Sequence, residues 1–146
     1  MPISPVCLDA SFLLRMLLDK ATGPLADTLW ETWHREERRL VAPTLLYYEV
    51  ASALHRYAVH RRLSSAEAET LLDLALRLDI ELVGDSELHR RALQLAGAFS
   101  LPATYDAHYL ALAERLGAEF WTADARLVRA VQSRLPWVHS LDEIRQ

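Results

Sequence analysis

The stretch Val6-Cys7-Leu8-Asp9-Ala10-Ser11 decides the fold of this chain, because it joins a short apolar run to an acid and then to a helix. Residues 6–8 follow Pro5 and have the length and composition of a buried strand. Asp9 comes next, and the apolar spacing over residues 12–18 predicts a helix. In α/β sheets the functional site lies outside the carboxyl ends of the strands, which is where this pattern places Asp9.

The alternation of short apolar runs and longer helices continues along the chain. Further strands are predicted at Leu40–Ala42, Ile80–Val83, Glu119–Thr122 and Trp137–His139. Further helices are predicted from 24 to the polar segment 35–39 and at 44–62, 64–78, 86–99, 105–116 and 124–133, with a last turn at 140–143. Because strands that alternate with long helices form parallel sheets, we predict a three-layer α/β/α sandwich with a short-stranded, mainly parallel sheet.

Local signals mark several helix ends. Ser64 and Glu67 have the spacing of a capping box, and Gly117 is predicted to end a helix in the left-handed conformation. Thr44 and Thr104 are predicted N-caps of the helices that follow them.

Length and composition bound the kind of protein. The 146 residues predict one domain over residues 1–146. The single cysteine, Cys7, favours a reducing compartment, and neither a basic leader nor a membrane-length apolar run is present, so we expect a soluble cytoplasmic protein. The 16 basic and 20 acidic residues give a net charge of −4, which argues against nucleic-acid binding by bulk electrostatics.

Four carboxylates follow or approach the predicted strand ends. Asp9 and Asp124 follow the first and fourth strands, Glu49 lies in the second turn of the helix after the second strand, and Asp106 lies in the first turn of the helix before the fourth. Each aspartate alone is equally typical of a helix cap, and Glu49 alone of an exposed helix face. Together at one sheet edge they would repel strongly unless a cation lay among them.

Oxygen ligands favour a hard cation, so we expect Mg²⁺ or Mn²⁺ to bind Asp9, Glu49, Asp106 and Asp124. The histidines and the lone cysteine have no zinc spacing. Ser11 and Thr122 lie two residues from Asp9 and Asp124, and their hydroxyls are candidates to orient these carboxylates, or for ordinary turn hydrogen bonds.

Four segments with these acids resemble the PIN domain, and within it the VapC-type toxin ribonucleases of bacterial toxin–antitoxin pairs. They are Val6–Ser11, Pro43–Leu54, Tyr105–Ala113 and Phe120–Leu127. The resemblance implies an endoribonuclease that depends on Mg²⁺ or Mn²⁺, is neutralised by a protein antitoxin and is often a homodimer. It places the four acids, Asp9, Glu49, Asp106 and Asp124, on the catalytic, metal-binding positions, with Thr122 as the common hydroxyl neighbour. Some relatives carry a further acid after the last segment; here residues 126–128 supply none, which leaves a second metal site in question.

For such a site we expect metal-assisted attack of water on RNA, with 5′-phosphate and 3′-hydroxyl ends as products. Arg15 and Arg56 are candidate phosphate contacts, or parts of a solvated helix face. Aromatic residues on the helices around the second strand are typical of a core, and some could line a groove for an antitoxin helix; they are Trp30, Trp33, Tyr47, Tyr48 and Tyr57.

Two other functions remain open at this point. A non-catalytic PIN-like module that binds RNA or protein would have the same spacings. A phosphorelay receiver domain is also α/β and binds Mg²⁺, but Asp9 lacks the acidic neighbour it needs, Asp85 is a poor phosphoryl acceptor, and Lys20 is misplaced.

Overall fold

A computed structural model describes residues 3–145, with the side chains of residues 3–143. Residues 1, 2 and 146, which the single-domain prediction includes, lie outside the described residues. The described part contains five strands: β1 (Val6–Leu8), β2 (Leu40–Pro43), β3 (Glu81–Val83), β4 (Glu119–Thr122) and β5 (Val138–Ser140). It contains seven α-helices, α1 (Ala10–Leu18), α2 (Gly23–Arg35), α3 (Leu45–Val59), α4 (Ser65–Leu76), α5 (Ser86–Ala98), α6 (Tyr105–Leu116) and α7 (Ala125–Val131), and a last 3₁₀ turn (Leu141–Arg145).

The five strands form one sheet in the order β3-β2-β1-β4-β5, and every neighbouring pair is parallel. Val6 of β1 lies opposite Leu40 on one side and Glu119 on the other. The chain moves outward from β1 to β3 and then returns to β4, so right-handed crossovers place α1–α4 on one face and α5–α7 on the other. The predicted three-layer sandwich is confirmed, with a fully parallel sheet.

The central strand is the most enclosed part of the fold. All three residues of β1 have no exposed surface, and Phe12, Leu13 and Phe120 are equally enclosed. Cys7 is a free thiol whose Sγ contacts the backbone oxygen of Tyr109 on α6 at 3.7 Å. Burial and the nearby charge of Asp9 raise the pKa of this thiol. Asp9 therefore directly follows the most deeply buried strand of the domain.

Some of the helix ends predicted from local signals are confirmed, and others are wrong. The capping box of Ser64 and Glu67 and the left-handed Gly117 are confirmed. Thr44 and Thr104 make no side-chain cap, because each has helical rather than extended backbone angles. Helix α3 ends at Val59 rather than near residue 62, since Arg61 turns to a φ of 57°. Strand β5 begins one residue later than predicted and includes Ser140.

None of the helices within residues 3–145 is long and apolar enough to cross a bilayer.

The end of α6 requires a left-handed backbone at Gly117, and a comparison with Gly97 in α5 tests this requirement. Gly117 has a φ of 62°, and a Cβ built there meets nothing within 4 Å beyond its immediate chain neighbours, so Gly117→Ala should cost about 1 kcal/mol through backbone strain alone. Gly97 lies within α5, also with open space around a Cβ, and Gly97→Ala should stabilise by roughly 0.5 kcal/mol. Urea unfolding measures the free energy of unfolding of both variants. A change of the same sign in both variants would contradict the prediction.

Candidate active site

The four predicted carboxylates occupy the carboxyl edge of three neighbouring strands. Asp9 caps α1 directly after β1, and Asp124 caps α7 after β4. Glu49 lies one turn into α3, which follows β2. Asp106 lies in the first turn of α6. Because β2, β1 and β4 are adjacent and parallel, their carboxyl ends bring these helix starts to one edge.

Asp9 is buried, with 5% of its surface exposed, and both of its carboxylate oxygens are hydrogen-bonded. Oδ1 accepts from the backbone nitrogen of Phe12 at 3.0 Å and from the Ser11 hydroxyl at 2.7 Å. Oδ2 accepts from the Thr122 hydroxyl at 2.6 Å. Burial raises the pKa of Asp9 to about 7, although these three hydrogen bonds oppose the shift; the charge of Asp106 adds to it.

The two predicted hydroxyls also join β1 to the segment after β4. Ser11 Oγ and Thr122 Oγ1 lie 3.1 Å apart. The Ser11 hydroxyl accepts from the backbone nitrogen of Ala123 at 2.9 Å, and the Thr122 hydroxyl accepts from that of Asp124 at 3.0 Å. The hydroxyls thus connect the first and last acidic segments and hold the Asp9 carboxylate in one orientation.

Asp106 is electrostatically coupled to the other three acids. Partial burial, together with the charges of Asp124 and Glu49, raises its pKa to about 6. Its own charge raises the pKa of Asp9. Among the described side chains, no Lys, Arg or His forms an ion pair with any of the four carboxylates. The four acids are therefore neighbours whose negative charge has no basic partner within residues 3–143.

Tyr109 is a site residue that the sequence analysis missed as a functional group. Its hydroxyl donates to Glu49 Oε1 at 2.6 Å, and its side chain has no exposed surface. Burial and the charge of Glu49 raise the pKa of this phenol, so it remains a hydrogen-bond donor. Tyr109 lies three residues after Asp106 on the same helix face, and this spacing is the signal that could have identified it.

The four carboxylates do not form a finished coordination sphere. Within the described part of the chain, no group of three or more His, Cys, Asp or Glu side chains is arranged to hold a metal ion. Hydrogen bonds take one oxygen of each of two acids: Tyr109 donates to Glu49 Oε1, and the Arg126 and Leu127 nitrogens donate to Asp124 Oδ1 at 3.0 and 3.3 Å. The donor chemistry and the uncompensated charge fit a hard cation, which would bind the remaining oxygens once the acids move closer together.

The two candidate arginines lie in different surroundings. Arg56 lines a cavity of about 250 Å³ together with Glu49. Arg15 lines a separate cavity of about 460 Å³ that includes Ser11, where its Nε lies 3.8 Å from Asp19. Arg56 therefore shares its cavity with an acid of the site, whereas Asp19, directly after α1, offsets part of the charge of Arg15.

Asp85, the position that a receiver domain would use as phosphoryl acceptor, is engaged elsewhere. It caps α5, and Arg115 donates to both of its oxygens, at 2.7 and 3.0 Å. The Arg115 guanidinium and the backbone nitrogen of Leu88, which both donate to this carboxylate, lower the pKa of Asp85 to about 2. An arginine therefore holds this carboxylate, which does not favour the receiver function.

The raised pKa of Asp9 predicts a pH dependence of stability for the metal-free protein. The folded state binds a proton at Asp9 more tightly than the unfolded state, whose ordinary pKa is 3.8. Stability from this group is full below about pH 4 and is lost as the pH rises through about 7, and Asp106 acts in the same direction. Asp9→Asn should flatten this decline.

Urea unfolding in EDTA at about pH 5 and about pH 8 measures this decline. The exposed Asp27→Asn on α2 is the matched control and should keep the wild-type slope. An Asp9→Asn protein with the wild-type decline would contradict the prediction.

Comparisons with known proteins identify the family. A family model of the PIN domain matches residues 6–132. The chain is 33% identical over 124 residues to a VapC ribonuclease of Mycobacterium bovis, covering 83% of this chain and 95% of that protein. Ribonuclease VapC9 of Mycobacterium tuberculosis matches with the same identity and coverage.

Solved structures share the fold at lower identity. A protein from Pyrobaculum aerophilum superposes with a TM-score of 0.70 at 23% identity, over 97% of this chain and 92% of that one. A toxin–antitoxin complex from Klebsiella pneumoniae gives 0.64 at 18%, over 93% and 97%. Mycobacterium tuberculosis VapC20, described as a toxin that cleaves the sarcin-ricin loop, gives 0.65 at 16%, over 86% and 95%.

The family model covers most of the chain, and relatives a third identical match it over nearly their whole length. The four acids of this chain, which lie within the four resembling segments, are found at the carboxyl edge of the sheet. The chain belongs to the PIN domain family.

Proposed function

We propose that this protein is a metal-dependent endoribonuclease of the VapC kind, which hydrolyses RNA phosphodiester bonds as the toxin of a toxin–antitoxin pair. Its relatives are named ribonucleases, and its fold is similar to that of known toxins. The observation that carries the proposal is the group of four carboxylates, in which Asp106 is electrostatically coupled to the other three and which no described basic side chain neutralises.

A divalent cation fits this group by charge and by donor type. Asp9 and Asp106, with Glu49 or Asp124, would hold Mg²⁺ or Mn²⁺, which bind carboxylate oxygens. When bound, such an ion supplies a nucleophile at neutral pH and stabilises charge that develops on the phosphate. The cation would replace the protons that Asp9 and Asp106 otherwise take up near neutral pH.

The remaining residues of the site hold these ligands in place. The Ser11 and Thr122 hydroxyls and the Phe12 backbone nitrogen orient the Asp9 carboxylate. Tyr109 orients Glu49 from the buried side. Arg56, at the cavity that Glu49 also lines, would contact a phosphate of the RNA, and Arg15 would contact one farther along α1.

A protein antitoxin and a second copy of this chain are the proposed partners. The fold is similar to that of a toxin–antitoxin complex, which supports the first of these. Between α1 and α3, a cavity of about 340 Å³ has one apolar side, formed by Leu14, Ala53 and Tyr57, and one polar side, formed by Arg56, His60 and Arg62; a partner helix with an apolar and an acidic face could cover it. An RNA substrate agrees with the cytoplasmic location expected from the sequence.

Cleavage of RNA by the purified protein tests the proposal directly. Total RNA with Mn²⁺ should be cut to fragments with 5′-phosphate and 3′-hydroxyl ends, and EDTA should prevent this. Asp9→Asn should lower the rate by about 100-fold or more, because it removes metal-binding charge. The exposed Asp79→Asn should cleave like the wild type. Ends with 2′,3′-cyclic phosphate, or full activity in Asp9→Asn, would overturn the mechanism.

The Tyr109 hydroxyl should support metal binding through Glu49. Tyr109→Phe removes the donor to Glu49 Oε1 and should weaken Mn²⁺ binding by about 10-fold, because the carboxylate is then no longer held in one orientation. The matched control is Tyr47→Phe, which removes a buried-side hydroxyl that donates to the Ala75 oxygen at 2.8 Å, away from the acids. Calorimetric titration with Mn²⁺ measures both, and equal affinities for the two variants would contradict the role of Tyr109.

A further inference from the structure

A small cavity opens beside Glu49, between the first turns of α3 and α6; we refer to it as the Tyr48 cavity. It measures about 250 Å³ and is lined by Leu45, Tyr48, Glu49, Ser52, Arg56 and Tyr105. Tyr48 directly precedes Glu49 in the chain, and Tyr105 directly precedes Asp106. The two tyrosines therefore flank two of the four acids.

The exposure of these tyrosines sets them apart from the other aromatic residues. All twelve Phe, Trp and Tyr side chains belong to the described part of the chain, and ten of them are buried or half-buried. Tyr48 and Tyr105 are 75% and 60% exposed, and both line the Tyr48 cavity. Burial of a Tyr ring stabilises the folded state, and these two exposed rings contribute little of that stabilisation. Two exposed aromatic rings at one cavity favour a ligand with a flat ring that can stack on them.

Arg56 gives the Tyr48 cavity a positive charge beside its acid. Its guanidinium donates to the Ser52 hydroxyl at 3.1 Å, one helical turn earlier on α3, which holds it at the cavity. Among the described side chains, Arg56 forms no ion pair with an acid. Its charge is therefore available for an anion.

Aromatic faces, a guanidinium that pairs with none of the described acids, and an adjacent acid of the site together fit a nucleotide of an unpaired strand. Bases that are splayed out of single-stranded RNA stack on Tyr, and phosphates bind Arg. We propose that Tyr48 and Tyr105 stack one unpaired nucleobase next to the phosphodiester that is cleaved, while Arg56 contacts the adjoining phosphate. The inference rests on the proposed ribonuclease function and assigns the side chains that hold one base and one phosphate beside that site.

The test combines side-chain truncation with removal of single bases. A short single-stranded RNA that the wild type cleaves is prepared with an abasic nucleotide at each position beside the cleavage site. With intact RNA, Tyr48→Ala and Tyr105→Ala should each lower kcat/KM and binding affinity by about 10-fold, the effect expected for loss of one stacking contact. At one abasic position the wild type should lose both stacking contacts, about 100-fold, and the alanine variants should fall to that same level and no lower, because both contacts are already absent.

Two further variants distinguish stacking from a general surface effect. Tyr48→Phe keeps the aromatic face and should recover most of the loss. Leu93→Ala removes another exposed apolar side chain, 67% exposed on α5 and outside the Tyr48 cavity, and should behave like the wild type. Circular dichroism checks that every variant is folded.

Binding is measured separately from cleavage, by fluorescence anisotropy in EDTA, so that the two proposals can fail independently. Cleavage with no coupling between the tyrosines and any base would overturn this inference and leave the ribonuclease function standing. Base-dependent binding through Tyr48 without cleavage would support the inference and overturn the catalytic function. Unchanged RNA binding in Tyr48→Ala, with weaker binding of the antitoxin, would assign the Tyr48 cavity to a protein partner and overturn the inference.

Discussion

Burial of the Asp9 carboxylate at the end of the central strand removes a charge from water, and the surrounding structure is arranged to offset that cost. Three hydrogen bonds and the positive end of α1 stabilise the charged form, yet its pKa still rises to about 7. One of the donors, Thr122, belongs to β4. The site therefore exists only if β1 and β4 are neighbours in the sheet.

The strand order meets this requirement at the point where the chain changes direction. From β1 the chain proceeds outward to β2 and β3, and it then returns to place β4 on the other side of β1. Adjacent crossovers leave the sheet on opposite faces there, and ligands of α/β sheets bind at such a point. Asp9 and Asp124 follow the two strands that meet there, α3 contributes Glu49 and α6 contributes Asp106. The acids of four distant segments thus meet because of topology rather than local sequence.

Sequence reasoning was most accurate where the signal was local. The bounds of β1, β4 and α6 match the predicted ranges, since apolar runs and the glycine at the end of α6 determine them. It was less accurate where contacts are distant in the chain. The hydroxyls of Ser11 and Thr122 are 111 residues apart, and Tyr109 and Glu49 are 60 apart, so no spacing rule shows that they touch.

The neighbours Tyr47 and Tyr48 illustrate the same limit within one helix. The sequence grouped them with other aromatics as core or groove residues. In the structure Tyr47 packs inward and bonds to the Ala75 oxygen, whereas Tyr48 is 75% exposed beside Glu49. Which of two adjacent rings meets solvent depends on how α3 lies against α4, and the residue pattern of α3 alone does not contain that information.

The enclosed thiol in β1 gives the protein an internal reporter. Cys7 has no accessible surface, and its raised pKa keeps it as the unreactive thiol, so an alkylating reagent can modify it only when the middle of the sheet opens. Its sulfur touches the backbone of Tyr109, whose hydroxyl holds Glu49. The rate at which this single cysteine is alkylated therefore measures how often β1 and α6 separate next to the four acids, without any added probe.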